Sequence, residues 1–588
     1  MNRRSLLVVA AILAAVAVLL AVSGGVRATV GGLRISARSP IGATVAALIV
    51  MVAWWAWARR AKAVAADLES AWSSLEQHSS LLIGVLAIVS GMVTLNFATN
   101  SAAGADASGY LSEAAQWASG QLFHRDALVG TLGVNDPWLT APLGWRPSLM
   151  AGWQSPTYPP GLPLLMAVPY ALGGTTAAGF IVVASAMVAV WATGLLAARL
   201  AGGAAGVMAA VAIAVSPIHL YQSIQPMSDV PVTAAWMVMW LLLVPASGLA
   251  HRSLGEGGIR DLGSARYLLA GAAGALAILI RPNLAPLAAV PLFLIGWQVR
   301  RMVVFSIPVA LSGLVLMWLQ WQWYGSPFRS GYGTADELFA IANIGANASR
   351  YLGWLTTTSP VLLVAPIGIA LLWRHAATRT LAAFAALVVL AYLVYAVFEV
   401  WSYLRFLLPA LAVAAVFAGS AMAIVLRRLP IAWRPVGALI VALVLLAHGV
   451  SLARSRDVFR LADQQRRVEQ VADFISTTLP AGAVIIAGEQ SGSLRYYTGR
   501  SILRWDAASP ESLASALTAL ATTGHPVVVA LDAWERAPFR ARFSGLANVS
   551  LEWPAAFEAG TSHRAHVWRL TDRDPFLNGE RVNTERQP

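Results

Sequence analysis

Seven ionisable residues stand at or near the ends of apolar runs, where a side chain can meet a lipid-borne substrate at the water boundary: Asp106, Asp229, Arg281, Arg329, Asp336, Glu337 and Arg405. Asp106 lies in Ala105-Asp106-Ala107-Ser108-Gly109-Tyr110, Asp229 in Ser228-Asp229-Val230-Pro231, and Arg281 in Arg281-Pro282-Asn283. Arg329 follows Gly325-Ser326-Pro327 and is followed in turn by Tyr332, Asp336 and Glu337, while Arg405 sits in Leu404-Arg405-Phe406-Leu407-Leu408-Pro409. A carboxylate can take a proton from a hydroxyl nucleophile, and a guanidinium can hold a phosphate through two N–H groups. Together they suit acid/base chemistry on a phosphate-bearing lipid. Arg329 is the first choice for the phosphate, because it follows the turn and precedes the acidic pair. Each residue also has an ordinary role open to it. Asp106 precedes a helical pattern (Tyr110, Leu111, Ala114, Trp117, Ala118) and could be its N-cap, Asp229 could cap a helix, and the arginines could meet lipid headgroups.

The elements that must position these residues are membrane spans. Of the 588 residues, 58% are hydrophobic and only 12% charged, and the mean hydropathy is +0.65, so the charge needed to solvate a globule of this size is missing. The net charge of +13 is carried in short clusters between apolar runs, which is the pattern of cytoplasmic loops and not of a nucleic-acid stripe. Lys62 is the one lysine, so an anion site must be built from arginine. No cysteine is present, which excludes thiolate metal sites and a cysteine nucleophile. The segment 454–588 carries no zinc-ligand spacing, G-x-G-x-x-G or Walker A motif, and no cofactor is expected, while the sequence does not decide metal dependence.

Apolar runs at 5–22, 41–58 and 81–97 precede a polar interval, 100–165, and further runs continue to residue 452, giving about 13 expected spans. The first reads as an uncleaved signal anchor. Arg59-Arg60-Ala61-Lys62 places the second loop inside, so alternation sends Asp106 outside and puts Arg199, the segment from Arg252 to Arg266, Arg300-Arg301, Arg374 to Arg379 and Arg427 to Arg434 inside. Arg27, Arg34 and Arg38 are the exception. The interval 100–165 is too long and too varied for a linker, and it is read as a catalytic loop. Tyr158-Pro159-Pro160-Gly161 shapes its return to the membrane. Tyr158 and Tyr332 are the candidate aromatic contacts to substrate. Three parts are expected: an additional hairpin at 1–79, a transmembrane catalytic domain at 80–453, and a soluble α/β domain at 454–588. In the last, helices at 461–478 and 511–523 should alternate with strands at 483–487, 526–531 and 566–570. It should lie outside beside the loop, as a lid or acceptor-docking module.

Asp106-Ala107-Ser108-Gly109-Tyr110, Tyr158-Pro159-Pro160-Gly161, Ser228-Asp229-Val230-Pro231, Arg281-Pro282-Asn283, Tyr324-Gly325-Ser326-Pro327 and the segment around Arg405, in that order and on one side, resemble the bacterial GT-C glycosyltransferases. That family includes protein O-mannosyltransferases, lipid A aminoarabinose transferases and rhizobial-type lipopolysaccharide glycosyltransferases. The resemblance covers about residues 80–430. It implies a polytopic α-helical GT-C fold in the bacterial inner membrane, with an acidic residue of the first large external loop as the catalytic group, a role that falls to Asp106. Many members carry two adjacent acids there, whereas here Ala105 and Ala107 flank a single aspartate. It also implies a polyprenyl-phosphate sugar as donor, a cell-envelope lipid, glycan or protein as acceptor, and an inverting displacement. Asp106 would be the base, and Arg329, Arg281 or Arg405 would stabilise the departing phosphate. Asp229, Asp336 and Glu337 would complete the substrate site. A transporter or flippase is the first alternative, although mid-span positions are apolar and no internal repeat is found. A lipid-linked polysaccharide polymerase or ligase is the second.

Overall fold

Helices form wherever the apolar runs are long. The computed structural model describes residues 2–23, 26–30, 33–37, 39–126, 128–129, 136–245, 263–561 and 563–587. Among the described residues, eight helices are long and apolar enough to cross a membrane, including Ser79–Phe97, Gly161–Ala201, Val299–Tyr324 and Trp401–Leu426. Two bent pairs raise the count to ten: Gly203–Ala214 with Pro217–Ser223, and Ile341–Thr358 with Pro360–Leu372.

Among the described residues, several of the expected 13 spans are bent or short helices instead of one long helix, and proline marks the breaks. Pro217 and Pro360 open the second member of each bent pair, where a residue without an N–H and with a fixed φ ends the preceding helix. Pro282, Pro286 and Pro291 likewise break the run at 282–295 into a 3-10 segment, Pro282–Ala289, and a short helix, Leu292–Ile295. Asp229–Leu243 and Ala265–Ile280 are apolar but shorter. Arg252 and Arg260 lie outside the described residues. The segment carrying Arg27 and Arg34 is an antiparallel hairpin, Val26–Val30 with Leu33–Ala37, joining the first two helices. Arg38 again lies outside the described residues.

Ion pairs mark the end of the bundle opposite Asp106. Arg3 donates through Nε and Nη2 to Asp67, which is fully buried, and Arg427 donates to Glu76 at 2.8 Å. From there the Ser79–Phe97 helix runs about 28 Å to the other end, where the polar interval 100–165 begins.

The C-terminal region forms a six-stranded sheet in the spatial order Glu585–Gln587, Phe557–Ala559, Ala565–Arg569, Val527–Asp532, Val484–Ala487, Ile502–Arg504. The last three are mutually parallel and the Ala565–Arg569 strand is antiparallel to its neighbour. The helix Leu461–Thr478 coincides with its expected bounds, whereas the strand ending at Arg569 is not the last, since Glu585–Gln587 follows it. This region grips the start of the interval 100–165. The Tyr497 hydroxyl accepts from the Ala102 N–H at 2.7 Å, Gln490 Oε1 accepts from the Gly104 N–H at 3.4 Å, and Thr99 donates to Gln465 at 2.6 Å. Loop and C-terminal region consequently share one side of the bundle.

Candidate active site

The helix Gly104–Ala118 starts at an N-cap, Ala103, that has no side-chain cap, so Asp106 is not the cap but a first-turn residue. There the positive end of the helix dipole favours a carboxylate. Asp229 is placed in the same way, one residue after the N-cap Ser228 of Asp229–Leu243. The Tyr110 hydroxyl donates to Ser228 Oγ at 2.9 Å and ties the two helix starts together. Close backbone approaches complete the convergence. A Cβ on Gly161 would fall 2.4 Å from the Ile280 nitrogen, and one on Gly331 would fall 1.9 Å from the Thr157 carbonyl oxygen. Only glycine lets the loop's return pass so near Arg281 and the 330 turn so near the loop.

Four of the expected charges meet as an alternating chain. Arg405 Nη2 donates to Asp106 Oδ2 at 2.7 Å, Arg405 Nη1 lies 4.0 Å from Asp229 Oδ2, and Arg281 Nη2 donates to Asp229 Oδ1. Arg281 Nη1 and Asn283 Nδ2 both donate to the Tyr392 hydroxyl, at 3.2 and 3.0 Å. The Asp229 side chain is wholly buried, whereas that of Asp106 is 29% exposed. Among the described residues, Asp229 Oδ2 and Arg405 Nε have no hydrogen-bond partner although both are buried. Burial pushes the Asp106 carboxyl up, but the Arg405 guanidinium and the Tyr158 hydroxyl beside it outweigh that and hold it below the usual carboxylate range. Burial and the Asp106 charge raise the Tyr158 hydroxyl well above its ordinary value, so it is a neutral donor facing the carboxylate.

These groups line a cleft of about 490 Å³ that Tyr158 and Tyr332 also border, their rings meeting edge-on at 5.8 Å. The opposite wall is aromatic. Tyr392 stacks on Phe406 at 5.1 Å, and Arg405 lies over the rings of Tyr403 and Phe406 at 5.0 and 5.3 Å, which holds the guanidinium flat against the wall.

Arg329, Asp336 and Glu337, also expected at the site, lie outside this cluster of ion pairs and are not among the residues lining the cleft. Glu337 accepts from the Thr334 N–H at 3.1 Å and closes a capping box. Asp336 is exposed in the same short helix, and Arg329 is exposed at a turn closed by its own N–H to the Ser326 carbonyl at 3.3 Å. Several wall residues escaped the sequence reading. Tyr392, Tyr395 and Phe406 look like span residues, and their one signal is the density of aromatics near span ends. Glu489 was also missed. It belongs to the C-terminal region, yet burial and the neighbouring Glu535, Asp532 and Asp106 carboxylates push its carboxyl up to about 7. No group of three or more His, Cys, Asp or Glu among the described residues is arranged to hold a metal ion.

No protein-family model matches the chain, and no curated protein sequence does. Its likeness to solved structures is extensive. ArnT from Cupriavidus metallidurans, in a crystal structure bound to undecaprenyl phosphate, is similar with a TM-score of 0.52 and 13% identity, over 83% of this chain and 97% of that one. The Archaeoglobus fulgidus oligosaccharyltransferase, tethered to an acceptor peptide containing the NVT sequon, is similar with a TM-score of 0.51 and 13% identity, over 83% of this chain and 73% of that one. Both are members of the GT-C superfamily, and at that identity what is shared is the fold.

Proposed function

We propose that this GT-C-fold chain is a membrane glycosyltransferase that moves a sugar from a polyprenyl phosphate to a hydroxyl of a cell-envelope acceptor on the outer face of a bacterial inner membrane. The observation that carries this reading is the pairing of Asp106 with Arg405 at the mouth of a cleft near the bundle's end. A lipid-borne donor keeps its tail in the bilayer and presents its anomeric carbon at that level. The fold likeness to a protein whose structure holds undecaprenyl phosphate supports the same donor class.

In the reaction the acceptor oxygen attacks the anomeric carbon while its proton passes to an Asp106 carboxylate oxygen. The bond from that carbon to the phosphate oxygen breaks, and the electron pair leaves with the lipid phosphate. One displacement inverts the configuration. The phosphate is already a good leaving group, so it needs a cation and not a general acid. Arg405, which lines the cleft beside Asp106, suits that task better than Arg329, which does not line it, while Arg281 is held by Asp229 and Tyr392. The test is to supply membranes with a radiolabelled polyprenyl-phosphate sugar. Release of polyprenyl phosphate together with labelled acceptor supports transfer, whereas movement of intact donor across the membrane would show a flippase.

A further inference from the structure

Resting on the reading that the cleft takes a lipid-linked sugar phosphate, we propose that Arg405 changes partner during turnover. The donor phosphate takes the Nε–Nη2 edge of its guanidinium and releases Asp106, so the base is freed only when the donor is seated and the acceptor follows in a fixed order.

The edge is half used. Elsewhere in this protein, Arg3 and Arg467 each grip a carboxylate through Nε and Nη2 together, on Asp67 and Asp532. Arg405 holds Asp106 through Nη2 alone, while its Nε is buried without a partner. A phosphate, with several oxygens on one centre, can accept from both N–H groups and so gains a charge-assisted bond that Asp106 does not make. The charge balance points the same way. Asp106, Asp229, Arg281 and Arg405 sum to zero, so an entering anion finds no free cation in this chain of charges. Arg281 is committed, being bonded to the wholly buried Asp229 and to Tyr392. The Asp106 side chain is the most exposed of the four, and a carboxylate near water loses a cation at least penalty. Asp229 Oδ2, unpartnered and 4.0 Å from Nη1, keeps the far side of the guanidinium in place while the near side exchanges.

Binding of undecaprenyl phosphate to the full chain in lipid nanodiscs tests this without knowledge of sugar or acceptor. If Asp106 competes for Arg405, Asp106→Asn binds the lipid phosphate roughly two- to fivefold more tightly than wild type, as expected for release of a partly exposed ion pair. The decisive comparison repeats that substitution in an Arg405→Gln background, where the gain should vanish. A gain that persists there is plain charge repulsion, and it overturns the exchange. Unchanged or weaker binding by Asp106→Asn overturns it too. Should Arg405→Gln fail to fold, Arg405→Lys keeps the charge and lacks the fork, and the gain should shrink well below that in wild type. Undecaprenol and phosphatidylglycerol serve as controls. Wild type that binds them as well as undecaprenyl phosphate defeats the donor assignment itself, whereas selective binding without the Asp106→Asn gain defeats only the exchange.

Discussion

At the scale of single residues, the two arginines of the cleft are not equivalent. Removing Arg281 leaves Asp229 wholly buried without its cation, a lesion worth about 3–5 kcal/mol. Arg281→Ala should therefore lower the thermal unfolding temperature in detergent as well as abolish transfer. Arg405→Ala bares a carboxylate that is already partly in water, so its main effect should be on donor use at near-normal stability. Arg329→Ala, at an exposed position, should stay within about 0.5 kcal/mol in stability and use donor as wild type does. Equal loss of donor use in Arg329→Ala would restore the arginine that sequence favoured. A second residue-level prediction concerns Glu113, which accepts from Trp117 Nε1 at 3.0 Å and is otherwise buried. Burial pushes its carboxyl from an ordinary 4.5 up to about 8, so the folded state favours the protonated form. Its contribution to stability is full below about pH 4.5 and is lost as pH rises through about 8. Unfolding temperature should fall over that interval, and Glu113→Gln should flatten the slope.

At the scale of elements, the site depends on close backbone crossings and on the grip of the C-terminal region. Gly161→Ala drives a methyl into the backbone at Ile280 and should shift Arg281, lowering transfer by about tenfold or more, since small misplacements of reacting groups carry losses up to a hundredfold. Unaltered transfer would show that the Gly161 crossing tolerates movement. Much at this scale was legible in sequence, for physical reasons. The helix Leu461–Thr478 buries one face through Leu461, Val468, Val471, Phe474 and Ile475, and that 3.6-residue period is visible in the chain. The strands Ile502–Arg504, Phe557–Ala559 and Glu585–Gln587 have three residues each, too few to show an alternation. The ends of the Asp106–Arg405 pair are 299 residues apart, and nothing local in either segment specifies the other. Arg329 stands beside a Gly-Ser-Pro turn and an acidic pair, a pattern that resembles a site in sequence, whereas in the fold one of those acids caps a helix and Arg329 is not among the residues lining the cleft. The aromatic wall was hidden by hydropathy, which cannot separate a ring facing lipid from one facing a cleft.

At the scale of the whole molecule, the ion pairs at one end and the loop with the C-terminal region at the other define a two-ended body, with Asp106 at the second end. From positive-inside alternation we propose that this end faces outside. A reporter active only in the cytoplasm, fused after Pro588, should be silent, and a strong signal would invert the orientation. The central claim is sugar transfer with Asp106 as base, and its most direct measurement is transfer in membranes at matched expression of wild type and Asp106→Asn. Asparagine keeps the size and removes the basic oxygen. Asp126→Asn and Asp136→Asn, whose carboxylates hold loop N–H groups of Leu128 and Trp138, are the controls from the same loop. The expected result is wild-type release of polyprenyl phosphate with labelled acceptor, a loss of about a hundredfold or more in Asp106→Asn, and retained transfer in both controls. Transfer by Asp106→Asn at a rate near wild type would contradict the account.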